Sequence, residues 1–580
     1  MTTETHTLPL CDWDDPANPT FDMWTTVNAA EVVPGVMYPL LAGWYQTHQR
    51  VLFASMFKRL GVTEQIAILP DPVPNFVGFW AGHLGLNVSF TTAIVTSYQT
   101  GAGSSAVEQL FTADEEGGHV AEASENVEQA IEVRKRFMRI LGQVPRMVPA
   151  DREKTAALDQ EVAETDLPSL TDAQLRRLHS RINGHFRRNF ENHILISVCG
   201  SGEFISMLEA HMSANIPDLD ADATVKLTSA LGNVESAKPM EALWHISRSI
   251  HQRPGVVAEI ASLSWQQIQQ RVDSPPNDDW RAIAEQFAAF VESYGYRSQS
   301  EWDHAVPRWS EEPSFPLNSL RNMAQASDEE GPLEAARRAG AQREAAEEHY
   351  RSLLPVRKRT EYNRLLAHAQ DFVRVREYTK ATCVISIRAA RAAIREQGRR
   401  WAERGWLEQG DDIFYLLHKE YEQGMREKLD PALTKEAVRR RKAQFKDMES
   451  FVLPDNWTGL PEVSRRGAAP VPDRVLKGLG VSPGEVTGPA RVITSFAAGA
   501  VADFQPGDIL VAPFTDAPWT PLFATAGGVV VETGGVLSHA ATVAREYGIP
   551  AVAMIKDATR MIETGQRLTV NGGAGEVTLG

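Results

Sequence analysis

The stretch ETGGVLSHAATVAREYGIPAV, residues 532–552, decides how the rest of the chain is read. The apolar run GGVVVE, 527–532, has the length and β-branched content of a buried strand and leads into Thr533-Gly534-Gly535. Ser538 then stands where an N-cap belongs, directly before His539 and the helix formers Ala540 to Glu546. The spacing predicts a helix over Ser538 to Tyr547 that Gly548-Ile549-Pro550 ends, glycine before proline. His539 falls in its first turn, where unpaired backbone N–H groups and the positive end of the helix dipole favour a phosphoryl dianion. A neutral imidazole is a competent nucleophile, and with an ordinary pKa of about 6.5 most of it is unprotonated at neutral pH. The bland reading of a lone histidine here is a helix cap, so the surrounding residues carry the decision.

Outward from this helix, residues 474–580 are dense in Gly and Val and hold further strand-like runs: ARVIT, DILVAP, PAVAMI and RLTV. They predict a small α/β module. The preceding segment, 453–473 (LPDNWTGLPEVSRRGAAPVPD), has four prolines and no apolar periodicity, which predicts an extended, flexible linker reaching at most roughly 70 Å. Between 151 and 452 helical signals dominate. Thr171 opens a capping box with Gln174, and Leu175, Leu178, Ile182, Phe186, Phe190 and Ile194 follow at steps of three or four along one helix face. Residues 333–353 and 435–450 read as long solvated helices, and the basic run Arg439 to Lys442 as part of such a face. His179, His185 and His193 are spaced six and eight apart, which does not stack them as a metal pair and leaves them as surface histidines. No metal site is expected. Residues 1–150 mix aromatic and β-branched runs with turn residues and read as a mixed region.

Composition narrows the function classes. The 580 residues predict about four domains or fewer, and a net charge of −16 disfavours nucleic acid and anionic membrane as partners. Cys11, Cys199 and Cys383 form neither a disulfide framework nor a CxxC pair, in keeping with a reducing cytosol. The N-terminal MTTETHTLPL lacks the pattern of a secretory signal, and no apolar run nears the roughly 20 residues that span a bilayer. The expectation is a cytoplasmic protein.

The string G-G-x-x-S-H-A-A-x-V-A-R-E-x-G-I-P-A-V resembles the phosphohistidine (swivelling, mobile) domain of phosphoenolpyruvate-utilising enzymes, the group that contains pyruvate phosphate dikinase, phosphoenolpyruvate synthase and rifampicin phosphotransferase. Val481-Ser482-Pro483-Gly484 and Gly488 to Val492 resemble its opening strands, and Gly507 to Val511 with Thr515-Asp516-x-Pro518-Trp519-Thr520-Pro521 its middle. The resemblance covers 474–580. It implies that His539 is transiently phosphorylated, with Ser538, Gly535 and Arg545 as phosphate-stabilising candidates.

Upstream, VESYGYRSQSEWDHAVPRWSEEP, 291–313, resembles the segment G-H-R-x-x-x-E-x-D-x-x-x-P-R-W-x-E-x-P in the helical acceptor domain of rifampicin phosphotransferase-like proteins. Gly295, Arg297, Glu301, Asp303, Pro307, Arg308 and Trp309 match, and Tyr296 replaces the usual histidine, whose role His304 is placed to take. MWTTVNAAEVVPGVMYPL, with Asn28, Glu31, Pro34, Gly35 and Pro39 in register, and Gly410 to Leu416 resemble other parts of that domain. An acceptor hydroxyl must lose a proton to a base while cations balance the phosphoryl charge. Glu301, Asp303 and His304 are candidate bases; Arg297 and Arg308 are candidate phosphate ligands. The same residue types also build buried ion networks that organise helices, with Trp309 as core.

The fold expected is multidomain: a mainly α substrate-binding region, 1–150 and 151–452, then the linker, then a small α/β phosphohistidine swivelling domain. Family members load the histidine through an ATP-grasp domain or a TIM barrel, and neither reads out of this sequence; Gly101 to Ser105 lacks a Walker spacing. The resemblance therefore implies a separate ATP-grasp partner, ATP and Mg²⁺ at the partner's site, no tightly bound cofactor here, and AMP and phosphate as by-products. The arrangement resembles phenylphosphate synthase and the 4-cresol phosphorylating enzyme, which implies a phenol- or cresol-like acceptor. The thirteen tryptophans, 22 phenylalanines and eleven tyrosines suit a pocket for a ring, as they suit cores. Two alternatives stand beside this reading: an antibiotic-type, rifampicin-like phosphotransferase component, and a non-catalytic phosphocarrier or sensor.

Overall fold

The computed structural model describes residues 5–6, 8–16, 22–26, 33, 35–60, 76–96, 127–220, 222–326, 331–467, 474–494, 501, 503–535 and 538–580. Asn28, Glu31, Pro34, the loop Gly101 to Ser105 and the linker's last residues, 468–473, lie outside them. The upstream region is mostly helical, with short strands at its N-terminal end, and the C-terminal region is an α/β sheet.

The helices used below are, in chain order, α1 (Pro39–Leu60), α2 (Asp172–Ile194), α3 (Ala223–Leu227), α4 (Lys238–His251), α5 (Asp278–Tyr294), α6 (Ser314–Met323), α7 (Pro332–Leu353), α8 (Val356–Glu403), α9 (His418–Met425), α10 (Pro431–Met448), α11 (Thr520–Phe523) and α12 (His539–Glu546). The chain divides into two compact units, which do not follow the expected domain boundaries. Unit 1 is Met1–Glu203, Glu301–Ala305 and Thr379–Ala468; unit 2 is Phe204–Ser300, Val306–Tyr378 and Ala469–Gly580.

In unit 1, α2 starts at the expected capping box: Thr171 Oγ1 accepts from Gln174 N at 3.3 Å and Gln174 Oε1 accepts from Thr171 N at 2.8 Å. Its apolar stripe is buried, and Leu175, Leu178 and Ile182 share a core with Leu40, Ala390, Ile394, Trp401 and Ile413. The buried face is wider than the stripe. His179 and His193 are buried and His185 half-buried, so the surface placement expected for these histidines does not hold. His193 Nδ1 meets Thr379 Oγ1 at 3.0 Å.

Residues 453–467 are no tether. β6 (Asn456–Thr458) pairs antiparallel with β2 (Met23–Thr25), extending a sheet of β3 (Val77–Trp80), β4 (His83–Asn87), β2 and β6. β7 (Val463–Arg465) lies between β1 (Thr5–His6) and β5 (Phe451–Val452). Trp24, Trp80 and Trp457 fill the first sheet's core edge to face, with centroids 4.5 and 5.2 Å apart. Each such pair adds about 1 kcal/mol beyond area burial. The run Arg439 to Lys442 is only partly a solvated face: Arg441 is buried between Asp12 and Glu420, and Lys442 pairs with the buried Asp412.

Unit 2 contains an eight-stranded mixed sheet in the order β8 (Val475–Lys477), β15 (Glu576–Leu579), β14 (Arg567–Asn571), β10 (Glu485–Val492), β11 (Ile509–Ala512), β12 (Gly528–Val531), β13 (Ala551–Ala553), β9 (Leu479–Ser482). β10 to β13 run parallel, and each strand-like run noted in the sequence contributes a strand. Helix α12 follows β12, packs on β13 and β9, and is buried nearly all round. Its outer face meets the helices: Ala540, Val543 and Ala544 share one core with Leu243, Trp244, Trp309 and Phe315. The sheet module, read from sequence as hanging on a tether, is packed against the helical part of its own unit.

Candidate phosphoryl-carrying site

Helix α12 spans His539–Glu546, with Ser538 as N-cap in extended geometry and its Oγ accepting from Ala541 N at 3.1 Å. Gly548 takes a left-handed φ of 61°, and Ile549 N returns to Ala544 O at 2.8 Å, which closes the helix as its Gly-Ile-Pro ending predicts. Gly535 stands in the approach loop, its carbonyl accepting from Ser538 N at 3.0 Å. Arg545 is buried, and its Nε donates to Ala541 O at 3.0 Å, folding the side chain back toward the helix start. Burial, with Arg376 nearby, pulls its pKa down to about 10.

The His539 side chain is turned inward, the residue 6% exposed. Its Nε2 lies 3.2 Å from Thr520 Oγ1, and its ring stands edge-on to Phe523, centroids 6.4 Å apart. The Thr520 hydroxyl donates to Ala517 O at 2.7 Å, so its oxygen is an acceptor toward the ring and the geometry assigns the proton to Nε2. Thr520 lies in the T-D-x-P-W-T-P string, yet nothing in its local sequence announced this contact. Nineteen residues separate it from His539, and only the crossover from α11 through β12 to α12 brings them together.

The five acceptor-side candidates fall into different units. In unit 2, Trp309 N donates to Arg297 O at 2.8 Å and Ser310 N to Gly295 O at 3.0 Å, folding the segment back on itself. Arg297 Nη2 donates to Glu235 O at 3.1 Å and Arg308 Nη1 to Ser298 Oγ at 2.8 Å, both guanidiniums being buried. Trp309 stacks between Phe290 and Phe315. These contacts favour an organising role for the two arginines. In unit 1, Glu301 is fully buried with Oε2 3.9 Å from Lys380 Nζ, and Asp303 Oδ1 accepts from Ala305 N at 2.8 Å. Arg391 donates to the carbonyl of His304 at 2.7 Å. The Tyr38 and Tyr45 phenols are held above their ordinary range, first by burial, with the Asp303 charge adding to it.

Unit 1 also has a solvent-open cleft of about 700 Å³ lined by His48, Arg176, His179, Asn183, Arg187 and Tyr421, which the sequence reading missed. Its signal was present in α2, where His179, Asn183 and Arg187 recur every fourth residue. Among the described residues, no group of three or more His, Cys, Asp or Glu side chains is placed to hold a metal ion. No helix there is long and apolar enough to cross a membrane.

A capped helix headed by His539 lies on a mixed α/β sheet that follows a mostly helical region. The comparisons agree: residues 504–575 match the mobile domain of PEP-utilising enzymes, and residues 196–377 match the rifampicin phosphotransferase fourth domain. The chain carries both. It is 33% identical over 361 residues to the rifampicin phosphotransferase of Streptomyces sviceus, covering 60% of this chain and 40% of the relative. A second rifampicin phosphotransferase, from a Streptomyces species, is 30% identical over 452 residues, 75% of this chain and 50% of the relative. The prodigiosin synthesizing transferase PigC of Serratia marcescens is 25% identical over 98% of this chain and 64% of its own length. The chain thus spans about half the length, or less, of the rifampicin phosphotransferases it matches.

Proposed function

We propose that this chain is the carrier and acceptor part of a rifampicin phosphotransferase-like enzyme, with His539 as the group that carries phosphorus. The observation behind this reading is His539 at the head of the Ser538-capped helix, in a mobile domain fused to a rifampicin phosphotransferase fourth domain. In loading, a ring nitrogen would attack the β-phosphorus of ATP held with Mg²⁺ by an ATP-grasp partner; the N–P bond forms as the α–β P–O bond breaks and AMP leaves, and water then cleaves the β–γ P–O bond, releasing inorganic phosphate and leaving one phosphoryl group on the ring. In transfer, the acceptor oxygen attacks phosphorus, the O–P bond forms, the N–P bond breaks and the ring regains its electron pair. The hydroxyl proton passes to a base, for which Glu301, Asp303 and His304 are the candidates.

The relatives favour an antibiotic-type acceptor hydroxyl over the phenol or cresol expected from the sequence. The test is incubation of the chain with an ATP-grasp partner, ATP and Mg²⁺, once with rifampicin and once with 4-cresol. Phosphorylated rifampicin with AMP supports the reading. An aryl phosphate alone moves the acceptor to the phenols, and labelled protein with no phosphorylated product turns the chain into a phosphocarrier.

Thr520 travels with His539, since both belong to the same module. Thr520→Val removes the oxygen that holds Nε2 and is expected to slow appearance of acid-labile label on the chain about five- to tenfold, the worth of one hydrogen bond of roughly 1 kcal/mol. An unchanged rate excludes the contact from orienting the ring.

A further inference from the structure

Glu546, the last residue of α12, reaches out of the sheet module to the loop that follows α3. Its Oε1 accepts from Leu231 N at 2.8 Å and its Oε2 from Gly232 N at 3.0 Å, so two successive backbone donors grip one carboxylate. The loop is shaped for this. Ala230, Gly232 and Asn233 have φ of 45°, 64° and 54°, a left-handed run that costs energy at the two non-glycine residues and turns the amides to one side. On the other side its carbonyls go to arginines: Arg343 donates to Ala230 O, and Arg374 to Leu231 O at 2.8 Å and Gly232 O at 3.3 Å. Burial pushes the Glu546 carboxyl above its ordinary range, and the two backbone donors, with the Arg374 and Arg343 charges behind them, work against that shift. Beside it, the Tyr547 hydroxyl donates to Glu241 of α4 at 3.4 Å.

At the other end of the same helix, His539 is turned inward against Thr520 and Phe523 of its own module, and α11, which carries both, is itself packed on α4 and α6 of the helical part. A phosphoryl donor has to reach that ring, and a residue 6% exposed offers little approach. We propose that Glu546 is a positioning residue that latches α12 onto the 230–233 loop, holding the module docked with His539 covered, and that release of this latch uncovers the histidine. Its part in the reaction rests on the function proposed above; the latch itself does not.

The latch needs a carboxylate. Glu546→Gln keeps one acceptor oxygen but turns an NH₂ toward the second N–H, donor against donor. Arg374→Met, a change at a partly exposed side chain, loosens the same loop from its far side without touching the module. The full-length chain is treated with diethyl pyrocarbonate and modification of His539 is followed by peptide mass spectrometry, with the exposed His251 as internal reference. Hydrogen exchange of peptides covering 230–233 is read in parallel, and circular dichroism confirms that each variant is folded. The expected result is His539 modification about tenfold faster in Glu546→Gln, a smaller rise in Arg374→Met, and faster exchange at 231 and 232 in both. Unchanged His539 reactivity in both variants while the loop loses protection shows that the contact does not hold the module and overturns the proposal. So does unchanged exchange at 231 and 232 in Glu546→Gln. A wild-type chain that never takes acid-labile phosphate from ATP and an ATP-grasp partner would remove the proposed reaction, yet leave these readouts standing.

Discussion

His539→Asn is expected to take up no acid-labile phosphate and to lower acceptor phosphorylation by more than about a thousandfold, the usual scale for loss of a covalent nucleophile. The change leaves the helix start intact, because Ser538 caps through its own hydroxyl to Ala541 N and asparagine is tolerated next to a cap. The lost ring leaves a small void beside Phe523, costing roughly 2 kcal/mol, so the variant stays folded and the two effects separate cleanly. The measurement is labelling from ATP in the presence of the ATP-grasp partner, with phosphorylated product scored by mass spectrometry. Residual turnover near the wild-type rate would assign phosphoryl transfer to a route that bypasses this residue.

The helix bearing His539 could be read locally because every signal for it is local: an N-cap serine, an unbroken run of helix formers and a glycine left-handed at the end. The parallel strands before and after were equally visible, since strands buried on both faces read as continuous Val and Ile runs, as in Ile509–Ala512 and Gly528–Val531. The segment 453–467 was opaque for the opposite reason. Its two strands are three residues long, separated by a proline, and paired with residues more than four hundred positions earlier, Trp457 opposite Trp24 and Val463 opposite His6. No local periodicity records such a partner. The docked state of the module escaped the sequence in the same way, because a proline-rich approach says that a segment can extend and says nothing of what the Glu546 carboxylate finds at Leu231 and Gly232. The acceptor-side residues were found by motif. Their burial was not: the motif does not tell whether Arg308 faces a ligand or Ser298, and the hydrogen bond to Ser298 is a fact of tertiary packing.

A fall in the stability of unit 1 is expected between about pH 6.5 and pH 4, driven by two histidines that fold neutral. His179 and His418 are both pushed down to about 4, first by burial and then by the charge of His48, with His179 acting on His418 as well. The rings form one cluster: His48 stacks on Trp44 with centroids 4.6 Å apart and meets His418 at 5.1 Å, while His179 lies 5.3 Å from the Tyr421 ring. Glu422 is 4.0 Å from His418 Nε2 but half exposed, too well solvated to hold a proton on the ring. In the unfolded chain these histidines titrate near 6.5, so below that pH the unfolded state binds protons that the folded state refuses. Stability is therefore full above 6.5 and is lost as pH falls toward 4, by roughly 2 kcal/mol per ring at pH 5. Urea unfolding of the wild type at pH 7 and pH 5 measures the loss, and the double variant His179→Leu, His418→Leu isolates its source, because carboxylates titrating in the same range are unaffected by the change. The wild type should lose about 4 kcal/mol more than the variant across that interval. A profile equally steep in both would place the acid sensitivity outside this cluster and show that the 700 Å³ cleft beside His179 hydrates the imidazoles well enough to charge them within the fold.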